Sequence, residues 1–143
     1  MRFAGEHGDG RRLAGNNGRD IDAQPSYPAS LPDPAVLGVT ASSERGGLIG
    51  AANHGQRSVD LAAPGDMIMS TGPRSGYQLR AGTWMAAPFV AGALALLAAA
   101  RPDLSQTQLG DALLASAKRT PALTGRLAAG KVVSASRSFR VVR

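Results

Sequence analysis

A Gly82-Thr83 pair opens directly onto "WMAAPFVAGALALL", a run without a charged residue. This puts position 84 at a helix N-terminus, where unsatisfied N–H groups and the helix dipole favour negative charge. Such a corner is one way to support a nucleophile and its oxyanion in acyl transfer. The side chain there is Trp84, the single tryptophan of the chain. An indole N–H donates a hydrogen bond and cannot attack a carbonyl. Thr83 carries a hydroxyl, but one step along a helix start turns the side chain by about 100°, away from any base placed for position 84. Other reactive groups are sparse: there are two histidines, His7 and His54, and no cysteine, which excludes disulfides, thiolate metal sites and thiol nucleophiles. On its own, a Gly-Thr turn before an apolar helix is a common way for a helix to begin.

The elements that must hold this corner are legible as an α/β pattern with a helical C-terminal end. After a "QPSYPASLPDP" loop, Ala35 to Ser42 reads as a strand buried on both faces, and Arg57 to Gly65 as a second strand stopped by Pro-Gly. "MIMST" and "YQLRA" flank Gly72 to Gly76 as a β-hairpin. The long helix starts at Thr83 or Trp84, with Pro88 expected in its first turn, and Arg101-Pro102-Asp103 ends it. Ser105 is placed to cap a further helix on which Leu109, Leu113 and Leu114 form one face. A last amphipathic segment, "GRLAAGKVVSAS", follows. Residues 1–12 are charged and glycine-rich and read as poorly ordered, leaving 13–143 as the folded unit.

At 143 residues the chain suits one domain. Aromatics are only 4% and glycines number 18, so packing must come from close approach of small side chains, as in helix-on-sheet layers. The net charge of +6 comes from basic residues scattered singly, without runs or interleaved aromatics, and reads as a solvated surface with no nucleic-acid partner. Trp84 to Ala100 is uncharged, yet its Pro88, Gly92 and eight alanines fit a buried helix, apolar all round, better than a membrane span. "MRFAGEHGDGRR" is polar and shows no secretory signal, and the compartment stays open.

"GTWMAAPFVAG" resembles the nucleophile motif of the subtilisin-like serine peptidases (subtilases), G-T-S-M-A-[AS]-P-H-V-A-G, at nine of eleven positions. The departures are Trp84, where the family has its serine, and Phe89, where it usually has histidine. Three further stretches are similar in the same order: "AGNNG" (Ala14 to Gly18) to the oxyanion-asparagine motif, "YPASLPDPAVLGVTAS" to the Tyr-Pro-Ala loop and strand, and "NHGQRSVDLAAPGDMIMST" to the Val-Asp-Leu strand and hairpin. "GRLAAGKVV" is similar to the family's ending, so the likeness runs from about Leu13 to Val133.

The resemblance implies the C-terminal half of a three-layer subtilisin-like fold, a parallel sheet with flanking helices and one β-hairpin. It implies Asn16 as the side-chain donor of an oxyanion hole and the Trp84 N–H as a backbone donor, with Leu13, Ala14, Gly15 and Asn17 lining one wall of a peptide or protein substrate cleft. The family's Asp and His segments precede the oxyanion asparagine. "GEHGDG" is similar to the histidine motif, but His7 stands nine residues from Asn16, too near for the intervening family elements, and reads as an exposed terminal histidine; His54 reads as structural. Some subtilases bind a cation at positions matching Ala29, Leu31 and Asp60. One carboxylate with carbonyls and water would make that a weak calcium site, and no other cofactor is implied. The expectation is a serine-peptidase homologue that is inactive as it stands. The alternative is a non-enzymatic binding module that pairs with an N-terminal half on another chain or acts as a decoy for a partner. Cutting such a sheet would leave an unpaired edge and uncovered apolar surface.

Overall fold

The computed structural model describes residues 11–33 and 36–141. The expected disorder of residues 1–10, and with it His7, lies outside the described residues; the first strand begins at Arg11. Five strands form one sheet in the order β1 (Arg11–Leu13), β2 (Leu37–Ser42), β3 (Leu61–Pro64), β7 (Lys131–Val132), β6 (Lys118–Arg119). The first four run parallel and β6 closes the far edge antiparallel. All six residues of β2 are buried, as the unbroken run "LGVTAS" requires of a central parallel strand. A separate hairpin, β4 (Ile68–Thr71) and β5 (Tyr77–Arg80), pairs Met69 with Leu79 and feeds the chain into α1 (Thr83–Ala100). Two shorter helices follow, α2 (Gln106–Ser116) and α3 (Ala135–Val141).

Alternation along the strands separates two cores. Leu37, Val39, Ala41, Leu61 and Ala63 face α1 and α2, meeting Ala86, Val90, Ala93 and Leu97 of the first and Leu109 and Leu113 of the second. On the opposite side Ala62 packs with Ala14, Ile21, Ala29, Val59, Leu123 and Leu127, which come from β1's exit, loops and a short 3-10 turn at Pro121–Leu123. Among the described residues the three α-helices thus lie on one side, and loops form the layer on the other.

Several sequence expectations need correction. The strands are shorter than read, since Gly55 to Asp60 fold as a turn in which Val59 N–H donates to the Gly55 carbonyl. Pro88 is the sixth residue of α1, in its second turn, so the Trp84 carbonyl loses its intrahelical donor. Leu109 and Leu113 are buried in the core, and Leu114, half-buried, packs against the same cluster at the rim of a cleft, as the shared face requires. The last segment holds β7 and then α3, helical from Ala135. Finally, α1 is not enclosed: one stripe of it is buried and the opposite side is open.

Candidate functional site

The N-terminus of α1 is built by residues from three regions. Gly82 is the N-cap residue, with φ 144° and ψ 169°, a conformation L side chains rarely adopt, and its N–H donates to the Gly65 carbonyl at 2.8 Å. Gly82 has no side chain to cap the helix, and Asn16, 67 residues away, does so: its Oδ1 accepts from Thr83 N–H at 2.9 Å. Thr83 answers with its hydroxyl, which accepts from Gly15 N–H at 3.2 Å. The acceptor role fixes the amide orientation, because only Oδ1 can receive an N–H. Among the described residues nothing accepts from Asn16 Nδ2 or from the Trp84 N–H, so two donors stand open at the positive end of an apolar helix. Thr83 is fully buried and already engaged.

The loop that presents Asn16 is held from beneath by Asn53, a buried residue that sequence reasoning missed. Its Oδ1 accepts from both Asn17 N–H and Arg19 N–H at 2.9 Å, and its Nδ2 donates to the Ala14 carbonyl at 2.9 Å. Its own backbone N–H donates to the Gly15 carbonyl, and Thr40 Oγ1 donates to its carbonyl at 2.6 Å. Gly15 must be glycine here, with φ 99° and no room for a Cβ beside the Asn53 amide. The "NHG" turn was the available signal, since a polar residue between two strands with no obvious helix to cap needs a backbone partner.

Trp84 is 42% exposed, its indole folded back against Gly82 and its ring 5.5 Å from the Arg80 guanidinium carbon, within cation–π range. Of the expected wall, Ala14 is buried while Leu13 and Asn17 are exposed. His54 belongs to a different neighbourhood: its backbone pairs with residues 19–21, its N–H donating to the Arg19 carbonyl and its carbonyl accepting from Ile21 N–H, and its Nδ1 lies 3.5 Å from Arg126 Nη2.

Ala29, Leu31 and Asp60 line a separate cleft of about 600 Å³ between the loop before β2 and α2, with Asp33 and Asp111 also on its walls. Asp60 Oδ2 accepts from Gly38 N–H at 2.6 Å. Burial raises the Asp60 carboxyl above its ordinary range, and this hydrogen bond only partly opposes that. Nearby, burial also pushes Asp22 upward, but the Arg57 and Ser58 N–H groups and the Arg57 charge outweigh it and hold Asp22 low. Among the described residues no three His, Cys, Asp or Glu side chains are grouped to hold a metal, so a cation at Ala29, Leu31 and Asp60 would rest on one carboxylate with carbonyls and water, short of the dedicated acidic donor set of a tight calcium site.

The family model described as the subtilase family matches residues 13–135. The chain belongs to the subtilase family. Among curated subtilases, the extracellular basic protease of Dichelobacter nodosus is 39% identical over 128 residues, covering 82% of this chain and 20% of that protein. Subtilisin-like protease 2 of Plasmodium falciparum is 40% identical over 84 residues, covering 59% of this chain and 6% of that protein. Among solved structures, that of the subtilase cytotoxin SubAB assembly aligns with TM-score 0.79 and 28% identity over 92% of this chain and 48% of its own. A cold-adapted subtilisin-like serine proteinase aligns at TM-score 0.73 and 32% identity, over 84% of this chain and 42% of its own. This subtilase chain therefore spans about half of the solved chains, a partial subtilisin-like fold with a parallel sheet and flanking helices, and a fifth or less of those curated relatives.

Proposed function

We propose that this chain keeps the carbonyl-binding corner of a subtilase and does not hydrolyse peptides as it stands. The observation that carries the reading is Trp84 as the second residue of α1, directly after the Thr83 that Asn16 caps. In this reading Trp84 occupies the place of the family's nucleophilic serine, and acyl transfer has no attacking oxygen. Asn16 Nδ2 and the Trp84 N–H act as the oxyanion donors, and Leu13, Ala14, Gly15 and Asn17 as one wall of a peptide cleft. In an active acyl-transfer enzyme, losing a single such donor costs about 10²–10³ in kcat, which is the transition-state support these donors give once a nucleophile attacks. Donors alone bind; turnover also needs a base in reach of the nucleophile and a group to orient it. The His54 imidazole meets Arg126, its Nδ1 3.5 Å from Nη2, rather than the contacts among Asn16, Thr83 and Gly15, and in this reading does not serve as that base.

The test is covalent labelling. A fluorophosphonate probe is expected to label no serine or threonine of this chain, and Trp84→Ser is expected to leave peptide hydrolysis absent. Labelling of the unmodified chain, or hydrolysis by Trp84→Ser alone, overturns the reading.

A further inference from the structure

Basic residues that lie scattered along the sequence gather at one end of the fold. From Ala112 onward the chain has seven basic residues and no acidic one. Five of them sit on neighbouring elements: Lys118 and Arg119 make up β6, Lys131 begins β7, and Arg137 and Arg140 are on α3. A 2.6 Å contact between Ser116 Oγ and Ser138 Oγ holds α3 beside the residue two before Lys118. Arg119 and Lys131 stand directly opposite each other across the antiparallel β6–β7 pair, which puts two like charges on one face of the sheet. Such an opposed pair is destabilising. Lys131 offsets part of this by donating to the Leu114 carbonyl of α2 at 2.8 Å, which also shows that the shared face is the helix side. Among the described residues no carboxylate pairs with any of the five cations.

β6 is also the last strand of the sheet on that side. Because Thr120 N–H donates to the Gly130 carbonyl, the alternation of an antiparallel pair turns the N–H and C=O of Arg119 away from β7, toward the open edge. Charged residues guard such an edge against a further strand, but this guard is selective by sign: it repels a basic strand and attracts one that carries carboxylates. We infer that the β6 edge is a docking site for an extended acidic peptide, which pairs with the Arg119 backbone and sets alternate carboxylates on the helix side, against Arg119 and Lys131. Two observations select a peptide over other polyanions. The edge presents a carbonyl as well as an N–H, and the phosphates of a nucleic acid or a bilayer only accept, whereas a peptide backbone donates and accepts. The opposed cations also lie on adjacent strands, so carboxylates on a third strand fall beside them at the strand spacing of about 5 Å. The site is independent of how Trp84 is read, since neither α1 nor the Asn16 loop contributes to it.

The experiment titrates the full 143-residue chain into a short fluorescein-labelled peptide that alternates glutamate with threonine, followed by fluorescence anisotropy. The expected result is saturable binding that weakens steeply with added salt, with amide exchange at Arg119 slowed at least tenfold in the complex. Arg119→Glu, at an exposed position, should weaken binding at least tenfold while leaving the circular dichroism of the chain unchanged. The same peptide N-methylated along its backbone keeps its charges and loses its donors, and should also bind at least tenfold more weakly. No saturable binding, equal binding of the N-methylated peptide or of a lysine–threonine peptide, or tighter binding to duplex DNA or to phosphatidylserine vesicles would overturn the inference.

Discussion

At the scale of single residues, the candidate site depends on one side chain that its turn marks as needing a backbone partner without saying which. Asn53 satisfies two N–H groups and one carbonyl of the loop that presents Asn16. Asn53→Leu would strand the buried Ala14 carbonyl, at about 1–3 kcal/mol, while water can reach the part-buried Asn17 and Arg19 N–H groups. The expected loss is about 1–3 kcal/mol in urea unfolding, and no measurable loss would show that the amide is replaced without cost. Its role was hidden in the sequence because its partners lie 34 to 39 residues away. Asn16, in contrast, was legible from the family motif, although its service as the cap of α1 was not. Asp60 makes a second prediction at this scale. Burial raises its folded pKa above the ordinary 3.8, so the native state holds the proton more tightly than the unfolded chain does. Its contribution is fully favourable below that value and is lost as pH climbs through the folded pKa. Stability of Asp60→Asn, which cannot ionise, should therefore gain on the wild type as pH rises from about 4. Parallel stability curves for the two proteins would refute the burial argument.

At the scale of elements, what the sequence revealed was local and what it concealed was pairwise. The capping box of α2 was foreshadowed by Ser105, whose hydroxyl accepts from Gln108 N–H while Gln108 Oε1 accepts from Ser105 N–H at 2.8 Å. Ser105→Ala should cost about 1 kcal/mol, measured by thermal or urea unfolding. The preceding turn is pinned by Arg101 and Asp103, whose bidentate contact at 2.7 and 2.8 Å holds the Asp103 carboxyl down to about 2. The hairpin was likewise marked by Gly72 to Gly76 between two short runs. Strands β1, β6 and β7 carry two or three residues each and exist because neighbouring backbone offers partners, which no window of sequence displays. Helix α1 was legible in extent from its apolar run, but an all-apolar face does not say which side is covered.

At the scale of the whole molecule, the described residues leave the outer side of α1 and the edge of β1 uncovered, which favours self-association. Static light scattering of the purified chain should rise with concentration more steeply than for a well-covered domain, and Leu96→Glu should reduce that rise. Unchanged scattering would place the sticky surface elsewhere, with the exposed Met69, Tyr77 and Leu79 of the hairpin as the next place to look. The reciprocal bonds between the Asn16 loop and Thr83 bear on how the fold opens. They close spans of 68 and 67 residues, a loop-closure cost that only the packed fold offsets. Any opening that parts the end of β1 from the start of α1 therefore breaks both, and the amides of Gly15 and Thr83 should exchange together, at least as fast as the central strand β2.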